Sequence, residues 1–420
     1  MKNLVMVAAA ATIGFNSVQS APLPEAKADD VGVSQQRLAK LDQFFAREIA
    51  SKRVPGAVVA IARDGKLIHY KAYGQLDPAK GRSMRLDAIF ALASMTKPMV
   101  AVAGLILMEQ GRLPLQARLT DYYPEFAGMK VGVPQHDGSL KFQAQNSPIL
   151  IHDLYRHTSG LTYGGPAHSS DQVARLYPDF AAPALRGDKQ AFIEAITKLP
   201  LAHQPGTEFE YGFSTDVLGA VVEQVSGQRL GDYLASNLWK PIEMQDATFH
   251  LSESQRKRLA HPFPDDPLTG KPQEIELLET PTNFDCGGAC AFATVGDYVR
   301  FGQMLLNGGE LNGQRILGPR TVRHMISDHL GPGIKNKVAN VEAHRAGFGF
   351  GLGVAVRINE GLSAVPGNPG EFTWTGAYGT QFFCDPKERL VAVVGTAAPG
   401  EIRKYYREQV QYIVYAAIIR

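Results

Sequence analysis

The feature that most restricts the fold of this 420-residue chain is that its strand-like segments lie at both ends. Near the start, two apolar runs flank Asp64-Gly65, a pair typical of a tight hairpin turn whose two central residues need positive φ. The strand-like runs cover residues 57–63, 66–70, 348–358, 371–374, 380–384 and 390–396. The segment between them has mostly helical patterns. This arrangement predicts an α/β (α+β) fold, in which one antiparallel sheet built from both chain ends is flanked by helices.

The same patterns predict a single domain over residues 21–420 with two lobes. Ser34 is placed as a helix N-cap, and apolar residues follow at helical spacing as far as Ala50. A last helix after residue 400 has one apolar face, so helices are expected beside the sheet. The sheet lobe is expected from residues of about 30–93 and 346–420, and a largely helical lobe from about 94–345.

The first twenty residues have the pattern of a secretory signal. Lys2 is followed by an apolar run from Leu4 to Phe15, and Val18 and Ser20 suit the two small-residue positions before a cleavage site. The sequence therefore predicts a signal peptide over 1–20 and a secreted protein, which in a bacterium would be periplasmic. A buried N-terminal helix is the alternative interpretation.

Charge and hydropathy give no support to several classes of function. The 43 basic and 41 acidic residues leave a net charge of +2, which gives no electrostatic reason to expect nucleic acid as a partner. The sequence has no run of about 18 apolar residues, so no membrane span is predicted. Metal-binding motifs such as HExxH are missing from the sequence, so neither a metal nor a cofactor is predicted.

Three cysteines are too few for a disulfide framework. Cys286 and Cys290 are four residues apart in the sequence, and an oxidising compartment would allow them to pair across the intervening glycines. Two buried thiols are an equal alternative, and both interpretations stay open at this point.

Chemistry is first indicated by Ser94, Lys97 and the proline that follows them. Proline is tolerated only in the first turn of a helix, so Pro98 places the helix start at or next to Ser94. Lys97 then lies one turn further on, on the same face. A partly desolvated lysine at that place can take the serine proton. Ser-x-x-Lys alone is a weak signal, because an N-cap serine beside a solvated lysine has the same pattern.

Two further segments strengthen this interpretation. Tyr211 lies in the loop before an apolar helix that ends at Gly227, a position from which its phenol can face a cleft. Trp374, Thr375 and Gly376 end one strand and begin the turn to the next.

Together these motifs resemble the serine β-lactamase and penicillin-binding protein superfamily. The matching segments are SMTK at 94–97, HTSGL at 157–161, PGTEFEYGFSTDVLG at 205–219, CGGACAFATVGDY at 286–298 and WTGAYG at 374–379. The resemblance covers residues of about 35 to 400, and is closest to class C β-lactamases and family VIII carboxylesterases.

The resemblance implies a role for each matching position. Ser94 corresponds to the nucleophile, Lys97 to its partner in deprotonation, and Tyr211 to the tyrosine that relays the proton to the leaving group. The backbone amides of Ser94 and Ala377 correspond to the oxyanion hole. A hole of this kind stabilises the tetrahedral intermediate by several kcal/mol in comparable hydrolases.

Two departures from the family pattern bear on the substrate. β-Lactamases typically have asparagine where this chain has Phe213, and lysine where it has Trp374. Losing that cation removes a charge-assisted contact with a substrate carboxylate, at a cost of about 2 kcal/mol. Phe213, Trp374, Thr375 and Gly376 are therefore predicted to bind substrate. An aromatic wall favours small uncharged esters, and family VIII esterases also have tryptophan at this place.

The leading prediction is an exported serine carboxylesterase that forms an acyl-enzyme and acts on a small-molecule ester. One alternative on the same fold is amide chemistry, as a weak β-lactamase, a D-amino-acid peptidase or a hydrolase of short amides. Another is a catalytically silent cell-wall binding protein, which would not need Ser94, Lys97 and Tyr211 together. A Ser-His-Asp triad through His157 is disfavoured, because that segment is expected to pack structurally.

Overall fold

The computed structural model describes residues 21–165, 171–179, 187–275 and 283–420. The predicted signal peptide lies outside the described residues. Strands are numbered in chain order: β1 (Gly56–Arg63), β2 (Lys66–Asp77), β3 (Arg82–Ser83), β4 (Ile89–Ala91), β5 (Val131–Pro134), β6 (Leu140–Gln143), β7 (Phe292–Thr294), β8 (Glu310–Leu311), β9 (Gln314–Arg315), β10 (Phe348–Phe350), β11 (Ala355–Arg357), β12 (Phe372–Thr375), β13 (Gln381–Asp385) and β14 (Leu390–Thr396).

The helices are numbered in the same way. They are α1 (Gln35–Leu38), α2 (Lys40–Ala50), α3 (Thr96–Glu109), α4 (Ile151–Tyr155), α5 (Lys189–Ile196), α6 (Ser214–Ser226), α7 (Leu230–Leu234), α8 (Glu253–Arg256), α9 (Val295–Leu306), α10 (Pro319–Met325), α11 (Val338–Val341) and α12 (Ile402–Ala417).

The main sheet confirms the predicted joining of the two chain ends. Its eight strands run in the order β10-β11-β12-β13-β14-β1-β2-β3, and all the strand pairs are antiparallel. At the centre, β1 pairs with β14 in a register that places Ala57 opposite Thr396. The β1–β2 hairpin turns at Asp64 and Gly65, with φ of 55° and 72°, as the Asp-Gly pair predicts.

Helices cover both faces of this sheet. The residues of β1 alternate between two apolar clusters: Val58, Ala60 and Ala62 belong to one, and Ala57, Val59 and Ile61 to the other. The second cluster also contains apolar side chains of α2 and α12, whereas the first contains those of α3, α6 and α9. The central strands are therefore buried on both faces, which explains why their sequences are almost continuously apolar.

Two predicted elements differ from the structure. The run over 348–358 is two short strands, because Gly351 and Gly353 turn the chain between β10 and β11. Gly353 has φ of 88°, and a Cβ there would lie 2.6 Å from the Ala101 Cβ of α3. The helix predicted over 34–50 is interrupted at Ala39, although Ser34 does cap its first turn by accepting a hydrogen bond from the Arg37 amide.

Two-stranded ladders interrupt the otherwise helical middle region, where β4 pairs with β7, β5 with β6 and β8 with β9. Within the described ranges, no helix combines the length and apolar character needed to cross a bilayer.

Candidate active site

Ser94 lies in one 3-10 turn, Ala93–Met95, between β4 and α3. Ala93 has φ of 45°, a left-handed conformation that costs a non-glycine residue about 1–3 kcal/mol and is common at functional sites. The turn is held from both sides. The Tyr298 hydroxyl donates to the Met95 carbonyl at 2.9 Å, and the Ala291 amide donates to the Thr96 hydroxyl at 3.1 Å. Ser94 is therefore fixed, and partly exposed, at the start of a buried helix.

Lys97 is completely buried one turn after Ser94, and its ammonium group has three hydrogen-bond acceptors. The Nζ atom lies 3.3 Å from Ser94 Oγ, 3.1 Å from the Tyr163 hydroxyl and 2.8 Å from the Gly288 carbonyl oxygen. The lysine is thus held against the serine.

Tyr211 contacts Lys97 with its ring. Lys97 Nζ lies 4.6 Å from the centre of that ring, within the range of a cation–π contact. The Tyr211 hydroxyl accepts a hydrogen bond of 3.2 Å from the indole nitrogen of Trp374. The two predicted residues from distant segments are therefore in direct contact.

Tyr163 and Asp216 are buried next to Lys97, and the sequence reasoning did not identify either. Burial raises the pKa of the Tyr163 phenol well above its ordinary value, so the phenol stays protonated. Burial also raises the pKa of Asp216 to about 6, although the charge of Lys97 opposes this shift. Asp216 lies within the matching segment 205–219 and Tyr163 two residues after the one at 157–161, but their burial beside Lys97 depends on tertiary packing.

A small disulfide loop presents the Gly288 carbonyl to Lys97. Cys286 and Cys290 are joined, with their Cα atoms 5.3 Å apart. The Gly288 amide in turn donates to Asp216 Oδ1 at 2.9 Å. A Cβ at Gly288 would lie 2.2 Å from Asp216 Oδ2, so only glycine fits there. The loop thus connects Lys97 to the buried carboxyl group.

The sheet contributes the opposite wall. Trp374 and Thr375 end β12, and the chain then turns through Gly376 to Thr380, where the Gly376 amide donates to the Thr380 carbonyl at 2.8 Å. A Cβ at Gly376 would lie 2.3 Å from the Leu92 carbonyl oxygen, which explains the glycine. Ala377 follows in this turn and is partly exposed.

A cavity of about 580 Å³ lies between the two walls. Most of the predicted site residues line it, namely Ser94, Tyr211, Trp374, Thr375 and Ala377, and so does Tyr163. Charged side chains of both signs form its outer part, among them Glu210, Lys337 and Arg403. The structure therefore brings the hydroxyl of Ser94, two phenols and an indole to one cavity, with Lys97 buried next to Ser94.

A sequence model of the Beta-lactamase family matches residues 41–412. This chain belongs to the Beta-lactamase family.

Relatives in this family include proteins of similar length. Protein Rv1367c of Mycobacterium tuberculosis is 33% identical over 80% of this chain and 84% of its own length. Esterase EstB of Burkholderia gladioli is 30% identical over 83% of this chain and 87% of its own. The solved structure of EstCE1, described as a hydrolase with promiscuous acyltransferase activity, matches 90% of this chain and 99% of its own with a TM-score of 0.72 at 26% identity.

Phe213 and Gly376, both predicted to bind substrate, are not among the cavity-lining residues of this Beta-lactamase family chain. Phe213 is 2% exposed because it is the N-cap residue of α6 and its side chain turns into the core. Its ring packs edge-on against Tyr163, with centroids 4.5 Å apart. Phe213 thus supports the cavity wall from behind, and Gly376 shapes the turn that contains Ala377.

His157 packs structurally beside the site. Its ring lies 4.9 Å from the Tyr211 ring, and Nε2 lies 3.3 Å from the Thr215 hydroxyl. Burial lowers the pKa of this imidazole well below its ordinary value, and the neighbouring charge of Lys97 lowers it further. A neutral, buried histidine that lies behind Tyr211 gives no support for a Ser-His-Asp triad.

Proposed function

We propose that this protein is an exported serine carboxylesterase that cleaves small uncharged esters through an acyl-Ser94 intermediate. The proposal rests on the position of the buried Lys97 Nζ, 3.3 Å from Ser94 Oγ. Ser94 in turn lines a cavity that Trp374 also lines. Esterase EstB and EstCE1 support the broader statement that the chain is a carboxylesterase-type serine hydrolase of this family.

In the proposed acylation step, Ser94 Oγ attacks the ester carbonyl carbon while its proton passes to the Lys97–Tyr211 pair. The carbonyl oxygen becomes an oxyanion, to which the backbone amides of Ser94 and Ala377 donate. When the tetrahedral intermediate collapses, Tyr211 delivers a proton to the alcohol oxygen as the ester bond breaks. Water then attacks the acyl-enzyme by the same proton route, releasing the acid and restoring Ser94.

The substrate preference is argued from Trp374. Its indole occupies the place where related β-lactamases carry a lysine, and its nitrogen is already used by the Tyr211 hydroxyl. A substrate carboxylate at this wall would lose a charge-assisted contact of about 2 kcal/mol. A neutral ester does not have this loss, so uncharged acyl groups are favoured over penicillins and over peptides that end in a carboxylate.

Export is part of the same proposal. The expected signal peptide over 1–20 would direct the chain out of the cytoplasm, and disulfides persist in oxidising compartments. The Cys286–Cys290 disulfide beside the site is consistent with such a compartment.

The test measures kcat/KM for p-nitrophenyl butyrate, for the anionic p-nitrophenyl hemisuccinate and for butyryl p-nitroanilide. We expect the neutral ester to be preferred, and Ser94→Ala to remove its hydrolysis. Ser214→Ala is the matched control, since Ser214 is a buried serine close to Tyr211 that bonds Ser159.

Activity that survives in Ser94→Ala would refute the nucleophile assignment. A preference for the anilide would favour amide chemistry instead. An inert wild type that also gains no acyl mass in an intact-mass experiment would favour the silent binding protein.

A further inference from the structure

We propose that Glu342, Arg345 and Arg407 form a buried clamp that positions Trp374 and the oxyanion turn. None of the three is assigned a chemical step, so they are positioning residues. The inference rests on the proposed function, because it concerns how the wall opposite Ser94 is held. That wall consists of the end of β12 and the turn from Gly376 to Thr380.

Arg345 holds the Trp374 end of this segment. Its side chain is fully buried, and the guanidinium carbon lies 4.1 Å from the centre of the indole, in cation–π contact. The Nη2 atom donates to the Thr375 hydroxyl at 2.7 Å. Because Trp374 also contacts Tyr211, the guanidinium helps to fix the indole next to the proposed proton relay.

Arg407 holds the turn itself. This residue comes from α12, and its Nη2 atom donates to the carbonyl oxygens of both Gly376 and Thr380, the second at 3.0 Å. One planar guanidinium therefore joins the first and last residues of the turn that contains Ala377. A lysine has one compact ammonium and cannot reproduce this planar geometry.

Glu342 connects the two arginines. Its carboxylate lies 3.0 Å from Arg345 Nη2 and also contacts Arg407. Burial alone would raise the pKa of Glu342, but Arg407 and Arg345 outweigh this and lower it to about 2. The carboxylate thus stays ionised, and both guanidinium groups are held in one orientation.

Stability is a weak explanation for this cluster. Buried ion pairs often contribute little net stability, because both charges lose their hydration. Here Nε and Nη1 of Arg345 and Nε of Arg407 have no hydrogen-bond partner in the described part of the chain, which adds to that cost. The remaining contacts converge on Trp374, Thr375 and the turn, so positioning is the role that the geometry favours.

A second buried pair in the same sheet provides a matched control. Arg357 and Glu371 lie 3.2 Å apart, each with a side chain 1% exposed, at the opposite end of β12. Arg357 packs over Phe348, and Glu371 bonds Gln411 and Tyr415. Within the described residues, neither side chain forms a hydrogen bond or an ion pair with the 374–380 segment. Losing this pair should therefore cost stability without moving the proposed oxyanion wall.

The experiment compares Arg407→Met and Arg345→Met with Arg357→Met in full-length protein, measuring kcat, KM and the unfolding midpoint. We expect kcat to fall about 10- to 100-fold in the clamp variants with KM changed less than about 3-fold, because small misplacements of an oxyanion wall act on the transition state. Arg357→Met should lose comparable thermal stability and keep kcat within about 3-fold, measured well below its midpoint.

Arg407→Lys keeps the positive charge next to Glu342. This variant tests the clamp if the methionine variants do not fold. We expect it to recover thermal stability but not kcat. The clamp is refuted if Arg407→Lys or the methionine variants retain kcat, or if Arg357→Met loses it equally. The clamp variants are assayed only with a substrate whose hydrolysis Ser94→Ala abolishes. A negative result for the clamp is therefore distinct from a negative result for the nucleophile assignment.

Discussion

The two walls of the cavity are held by different kinds of contact. On the helical side, the buried amino group of Lys97 is surrounded by hydroxyl, carbonyl and aromatic groups. On the sheet side, Trp374 and the turn from Gly376 to Thr380 are held by Glu342, Arg345 and Arg407, of which Glu342 and Arg407 also line the cavity. In the first wall the proposed reacting groups Ser94, Lys97 and Tyr211 contact one another, with further support from Tyr163 and the Gly288 carbonyl. In the second wall, support and chemistry belong to different residues.

This difference implies two kinds of mutational response. A change on the helical side should alter proton transfer directly. A change behind the sheet side should act through the position of the wall, and leave the proton-transfer groups intact.

The largest effect is expected for Lys97→Met. The variant keeps most of the buried volume but removes the proposed proton acceptor, so kcat/KM for p-nitrophenyl butyrate should fall about 10³-fold or more. The Ser94 acyl-enzyme should no longer accumulate in intact-mass measurements. If Lys97→Met retains a tenth of the wild-type rate, the helical wall does not use this lysine as a base.

The two walls should also respond to pH with opposite sign. The raised pKa of Asp216, about 6, means that its contribution to stability is complete below pH 3.8 and is lost as pH rises through 6. The lowered pKa of Glu342, about 2, means that its contribution is complete above pH 4.5 and is lost as pH falls through 2. Each shift corresponds to about 3 kcal/mol.

Urea unfolding across this pH range tests that contrast. Asp216→Asn should reduce the decrease in unfolding free energy between about pH 4 and 6, to which Asp297 and Glu371 also contribute, and Glu342→Gln should reduce the decrease below about pH 4.5. Identical pH profiles for the two variants would show that the walls are not held differently.

The smallest predicted effect separates the two tyrosines on the helical side. Tyr211→Phe should lower kcat about 100-fold, since it removes the proposed proton relay. Tyr163→Phe removes one of three hydrogen bonds to Lys97 Nζ, and should lower kcat only about 10-fold. If Tyr163→Phe is the more severe change, the relay belongs to Tyr163, whose hydroxyl makes the direct contact with the lysine.

Much of the framework could be predicted because its signals are local. Asp64-Gly65 fixes the first hairpin, and Pro98 places the start of α3 next to Ser94. The break between β10 and β11 could not be predicted from alternation, because the turn depends on how closely Gly353 approaches α3. Phe213 shows the same limit, since its neighbour Tyr211 faces the cavity while Phe213 turns into the core.

The supporting residues of both walls were beyond sequence reasoning. Asp216 is linked to Lys97 through the Gly288 loop and through Tyr163, and Arg407 reaches the turn from Gly376 to Thr380 from a helix at the end of the chain. No spacing rule links such positions, because their contacts form only when several distant elements pack together.

The pairing of β1 with β14 has a consequence for the order of events during synthesis. Residues 57 and 396 lie opposite each other, so the centre of the sheet cannot form until nearly the whole chain has been made. Proteins dominated by such distant pairings fold slowly, and chains are made from the N-terminus onward. A growing chain therefore contains Ser94 and Lys97 long before the turn that faces them exists. The candidate site becomes complete only with the last strands and α12, so an unfinished chain has the proposed nucleophile without the proposed oxyanion wall.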